Sequence, residues 1–255
     1  MARSLDKAPA APGSAQDDIG YLRGERRTLI IASSLGFLLF IIVTLCFPNA
    51  GPVFRILSIG HHGMAPAVPV WSNVVVSRAS YGYSRYSFDD FELPISSRWP
   101  ALVPRRGDIV AYRMPSLRVF FPKENLPPPI DLFASNPTIF MSRIIGLPGD
   151  KIEMTNDRLS INGKLVLREP APKMPDPDGG IGEVDVYIER LPEGASHRVI
   201  ERAGRSGPAN GTLVYDVQPG EVFLLGDDRV SRYTGRHTGN LVPIELVIGR
   251  AIAAF

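Results

Sequence analysis

Arg143-Ile144-Ile145-Gly146-Leu147-Pro148-Gly149-Asp150 closes an apolar run that begins at Ile139, and it sets how the chain around it reads. The run 139–145 has the length and composition of a buried strand. Gly146, Pro148 and Gly149 stop it, and Lys151-Ile152-Glu153-Met154 starts another strand. Leu159-Ser160-Ile161 then leads into Asn162-Gly163. Asn and Gly accept positive φ at little cost, so with Asn156-Asp157 before them they predict two hairpins between Asp150 and Val166.

Working outward, 74–76 and 108–112 read as strands upstream, and 184–191, 197–202, 213–217, 222–225 and 247–251 downstream. The segment 170–182, rich in Pro, Asp and Gly, reads as a loop. With 24 Gly and 24 Pro punctuating so many short runs, residues 48–255 are expected to form a mainly β, loop-rich domain. Its core is expected at 51–166 and 212–255, with a smaller β insertion at 167–211.

The beginning of the chain is of another kind. Residues 1–27 form an Ala-, Pro-, Ser- and Asp-containing tail expected to be disordered. Residues 28–47 carry no charge, and 20 residues of helix rising about 1.5 Å each cross a hydrocarbon core about 30 Å thick. A cleaved secretory signal has a shorter apolar core and a small-residue cleavage site, so one transmembrane helix is the expectation here. Arg23, Arg26 and Arg27 precede it, and no charge follows until Arg55. The positive-inside rule then puts the tail in the cytoplasm and 48–255 on the outer side of a bacterial inner membrane, with the lipid bilayer as a partner.

At 255 residues there is room for an anchor and one sizeable domain. A net charge of +2 with no basic stripe or binding module argues against nucleic acid. The single cysteine, Cys46, has no partner for an internal disulfide. No cofactor is expected. His61, His62 and His237 with Asp228 are weak metal candidates because no spaced Cys/His pattern accompanies them, and no metal is expected.

The ordered set Gly63-Met64-Ala65-Pro66, Tyr81-Gly82-Tyr83-Ser84-Arg85-Tyr86-Ser87-Phe88, Arg106-Gly107-Asp108-Ile109-Val110, 143–150, Ile161-Asn162-Gly163, Gly226-Asp227-Asp228-Arg229 and the closing 241–251 resembles the bacterial type I signal peptidases. The resemblance spans almost all of 48–255 and implies an antiparallel β ectodomain behind one anchor, in a family of serine endopeptidases that process exported preproteins. It also implies where the catalytic pair belongs: a Ser immediately before the Met of Ser-Met-x-Pro, and a Lys immediately before the Arg of Lys-Arg-x-x-Gly-x-Pro-Gly-Asp. Those positions hold Gly63 and Ser142.

The family's chemistry needs a Ser hydroxyl activated by a neutral Lys, because an ammonium has no lone pair to take the proton. Gly63 has no side chain and Ser142 is not a base. His61 stands where the family approach supplies an oxyanion-stabilising hydroxyl, and Arg232 and Thr234 stand where a Ser and an Asp support the Lys. The expectation is a divergent, catalytically silent member that keeps the peptide groove. By the resemblance, 56–63 and 139–142 line that groove, and Met64, Phe140 and Ile144 shape a small apolar pocket. The partner is then an exported preprotein or signal-peptide segment, or another inner-membrane protein, held by main-chain pairing that needs no dyad. The alternative is an active signal peptidase with a rearranged Ser142/His62 dyad, since some members of endoplasmic-reticulum type pair Ser with His.

Overall fold

The computed structural model describes residues 31, 33–41, 51–88, 92–113, 139–155, 158–180, 182–201, 212–229 and 240–255. The chain divides into two units, 1–47 and 48–255. In the first, 33–41 is helical and largely exposed. Among the described residues no helix is long and apolar enough to cross a membrane. The tail 1–27, residues 28–30, 32 and 42–47 of the expected span, the Asn156-Asp157 turn, 231–236 with Arg232 and Thr234, and His237 lie outside the described residues.

The second unit is mainly antiparallel β, built from β1 (Phe54–Ile59), β2 (Ser72–Ser77), β3 (Ile109–Arg113), β4 (Ile139–Gly146), β5 (Lys151–Thr155), β6 (Arg158–Ile161), β7 (Lys164–Leu165), β8 (Leu167–Pro175), β9 (Glu183–Arg190), β10 (Ser196–Glu201), β11 (Thr212–Asp216), β12 (Glu221–Leu225), β13 (Asn240–Pro243) and β14 (Val247–Ala254). Seven strands form one sheet in the order β1-β2-β14-β3-β4-β12-β13. A four-stranded sheet, β11-β5-β6-β7, and a three-stranded sheet, β10-β9-β8, complete it.

The segment that sets the reading, β4, sits inside the large sheet with both faces covered. Leu57, Ile59, Met64, Val74, Val76, Ala111, Met141 and Ile248 form one apolar cluster. Tyr81, Val110, Tyr112, Ile144, Leu224 and Val247 form another. Alternation along β4 explains the split, since residues two apart share a face. Asn162 and Gly163 have φ of 53° and 73°, as a two-residue hairpin requires, and join β6 to β7.

One expected loop is a strand. Residues 170–175 belong to β8 despite Pro170, Pro172 and Pro175. The strand is at the edge of its sheet, where an outward-facing N–H has no ladder partner to lose, and the pairing with β9 shifts register between Ala171 and Met174. Proline counting therefore marked as loop what the edge position permits as strand.

Where β14 crosses β2, Gly249 lies so close to the neighbouring chain that a Cβ would stand 2.2 Å from the Ser77 carbonyl oxygen. Gly249→Ala is expected to lower the stability of the ectodomain by about 1–3 kcal/mol, the usual cost of overpacking, read as a shift of the urea midpoint. An unchanged midpoint would show that the two strands separate freely.

Candidate functional site

Gly63 lies buried in the loop between β1 and β2. Its N–H approaches His61 Nδ1 at 3.3 Å, and its carbonyl accepts the Asp228 N–H at 3.2 Å. Asp227 and Arg229 on either side exchange backbone hydrogen bonds with Ile200 of β10. The 226–229 turn is thus wedged between the Gly63 loop and the three-stranded sheet.

Ser142 is central in β4, opposite Val110 of β3, and fully buried. Its Oγ lies 3.4 Å from the Tyr112 hydroxyl, which burial keeps protonated by raising its pKa. Among the described residues no base stands at that oxygen. His62 Nδ1 instead faces Asp178 Oδ1 at 3.2 Å, from the turn between β8 and β9, and no hydrogen bond joins His62 to Ser142. Burial, and then the neighbouring His62, lower the pKa of His61, favouring the neutral imidazole; its ring sits 5.9 Å from that of Phe140. Among the described residues no group of three or more His, Cys, Asp or Glu converges to hold a metal.

The three residues expected to shape one pocket divide between two clusters, Met64 in one and Ile144 with Phe140 in the other. Met64 is sealed in the cluster with Met141, Ile144 is sealed in the cluster with Tyr112, and only Phe140 is half-exposed, against that second cluster. The two strand edges expected to line a groove are a different matter. β12 pairs with Arg143, Ile144 and Gly146 of β4 and goes no further, so among the described residues 139–142 has a partner on the β3 side alone. β1 is likewise an edge strand. Unpaired strand edges are templates for another strand.

A buried ionic network supports this arrangement. Arg143 grips Asp227 with two hydrogen bonds, Nε to Oδ1 at 2.8 Å and Nη2 to Oδ2 at 2.5 Å, and donates a third, at 2.6 Å, to the Gly107 carbonyl. His197 of β10 lies 3.8 Å from Asp227 and 3.5 Å from Glu189 of β9, whose carboxylate also receives Arg229. Burial, with the two guanidiniums adding to it, pushes His197 from its ordinary 6.5 down to about 2, so the imidazole is neutral. Arg143 and Asp227 lie in motifs that the sequence singles out, whereas Glu189, His197, Tyr112 and Asp178 carry no spacing signal and enter only through tertiary contact.

The family described as "Signal peptidase, peptidase S26" matches residues 31–255. The chain is 33% identical over 186 residues to a Signal peptidase I of Rickettsia typhi and to another of Rickettsia prowazekii. It is 32% identical over 182 residues to that of Rickettsia canadensis. Each match covers 69% of this chain and 61% of the relative's length.

The network makes stability depend on acid in a definite direction. Unfolding lets His197 bind a proton near 6.5 that the folded chain refuses down to about 2, so its contribution is complete above 6.5 and is lost progressively between those values. Stability should fall by up to about 1.4 kcal/mol per pH unit once pH drops below the unfolded value. His197→Gln should flatten that slope in urea titrations, and an identical slope in the variant would show that His197 is not the group. Removing one side of the buried pair, in Arg143→Ala, is expected to cost about 3–5 kcal/mol.

Proposed function

This chain belongs to the signal peptidase family, peptidase S26, and we propose that it binds an extended polypeptide segment at the former substrate groove and leaves it uncut. The carrying observation is the surroundings of Ser142, whose hydroxyl, among the described residues, has only another hydroxyl, that of Tyr112, at 3.4 Å. A serine hydroxyl is a weak nucleophile until a base accepts its proton, and Gly63 brings no side chain to the nucleophile position. Recognition has different requirements. An extended segment adds to a sheet through main-chain hydrogen bonds, and the edge at 139–142, unpaired on one side among the described residues, supports that mode. Half-exposed Phe140 then offers the apolar contact beside it.

The occupant in this reading is an exported preprotein or its signal segment, or another inner-membrane protein. The ectodomain faces the periplasm behind a single membrane-spanning segment at 28–47, supported by the uncharged composition of that stretch and by Arg23, Arg26 and Arg27 before it.

An active peptidase with a rearranged dyad is the competing assignment, and one contact favours it. The His62–Asp178 contact at 3.2 Å sets a carboxylate beside an imidazole, the combination that a hydrogen bond between them would turn into catalytic support. Among the described residues it has no nucleophile, because Ser142 meets Tyr112 and not His62.

Incubating the purified full chain with an exported precursor separates the two. Silent binding predicts no cleavage above a Ser142→Ala, His62→Ala double variant. Cleavage in wild type that disappears in either single variant would establish the rearranged protease instead. Photocrosslinking in membranes addresses recognition: a probe at Phe140 is expected to capture a discrete species that a probe at exposed Lys173 does not. Equal labelling at both positions would remove the groove as the binding site.

A further inference from the structure

A cavity lies two strands from Ser142 in the large sheet. It has a volume of about 350 Å³ and is lined by Ser80, Tyr81, Leu102, Val103, Arg105, Asp108 and Arg250. The register Ser142↔Val110↔Arg250 sets it on the sheet face that carries Ser142, since directly opposed residues share a face. None of the residues that line it belongs to the groove or to the Arg143–Asp227 network.

Its charges do not cancel. Tyr81 donates its hydroxyl to Asp108 Oδ2 at 2.6 Å, and burial, together with that carboxylate, holds the phenol protonated. Arg250 Nη1 stands 3.5 Å from Asp108 Oδ1, a loose pair that leaves the rest of its guanidinium available. Arg105 also acts on Tyr81, is exposed, and has no ion pair among the described residues. Two guanidiniums against one carboxylate leave a net positive cleft, with the Ser80 hydroxyl on its wall.

Arginine forks match the paired oxygens of a phosphate, so the chemistry favoured here is a phosphate ester. The rim is apolar. Leu102 and Val103 line the cleft and are 47% and 80% exposed, and Trp99, three residues before Leu102, is 74% exposed. A free phosphate has no use for such a rim. Exposed aromatic and aliphatic side chains beside cations are what a membrane interface selects. We propose that this cleft binds the phosphodiester headgroup of an anionic phospholipid, with Trp99, Leu102 and Val103 against the adjoining acyl region.

Calorimetric titration of the full chain in non-ionic detergent tests this with three probes: dihexanoyl phosphatidylglycerol, dihexanoyl phosphatidylcholine and inorganic phosphate. Saturable binding of phosphatidylglycerol, tighter than that of the other two, is expected. Arg105→Gln should weaken it by about fivefold, the effect of removing one cation from an anionic surface. Because Arg105 has no ion pair among the described residues, that variant leaves the Tyr81–Asp108–Arg250 contacts in place. Arg250→Gln, accepted if its thermal midpoint matches wild type, should give a loss of similar size. Equal affinity for phosphatidylcholine, or binding untouched by Arg105→Gln, overturns the proposal. Inorganic phosphate binding as tightly as phosphatidylglycerol would overturn the lipid as the source. The outcome is independent of whether the groove binds or cleaves a polypeptide.

Discussion

The bidentate bond from Arg143 to Asp227 joins the parts of this fold that chain connectivity leaves apart. Arg143 is on β4, Asp227 follows β12, and the third donor of the guanidinium reaches the Gly107 carbonyl before β3. Both side chains are taken out of water, which costs several kcal/mol per ion and is offset only when every donor and acceptor is met. Here Asp227 is met by Arg143 and Arg143 by two acceptors. Its strength lies in position, since a buried charge without its partner is far more costly than the intact pair is favourable.

From that bond the support spreads outward. His197 and Glu189 carry it into the three-stranded sheet, and Arg229 returns it to the turn. The turn in turn holds the Gly63 carbonyl through the Asp228 N–H. The Gly63 loop is therefore held by a backbone bond that requires no particular side chain at Gly63. The strand edges at β1 and 139–142 depend on sheet order, which the ionic network and the apolar clusters maintain.

How far the sequence discloses this follows from the range of each interaction. β4, β5, β6 and β12 are legible because alternation and turn residues are local signals, and the Asn162-Gly163 hairpin follows from backbone sterics alone. β8 is obscured because proline content speaks for loop, and only the finished sheet shows that the strand is an edge. The site is half legible. The positions of Gly63 and Ser142 follow from motif spacing, and Phe140 lies half-buried near the start of β4. Met64 and Ile144 are apolar residues whose burial on opposite faces of the sheet depends on layers that no local pattern contains. The His62–Asp178 and Tyr112–Ser142 contacts each join segments distant in sequence, beyond the reach of any local reading.

Amide hydrogen exchange at 139–142, measured on the full chain with and without a synthetic signal-peptide segment and followed by the mass of that segment, tests the central claim directly. Strand addition without hydrolysis predicts slowed exchange at amides of 139–142, no comparable change at the outer edge of β8, and a segment recovered at its original mass. Unchanged exchange at 139–142, or a segment recovered in two pieces, would contradict it.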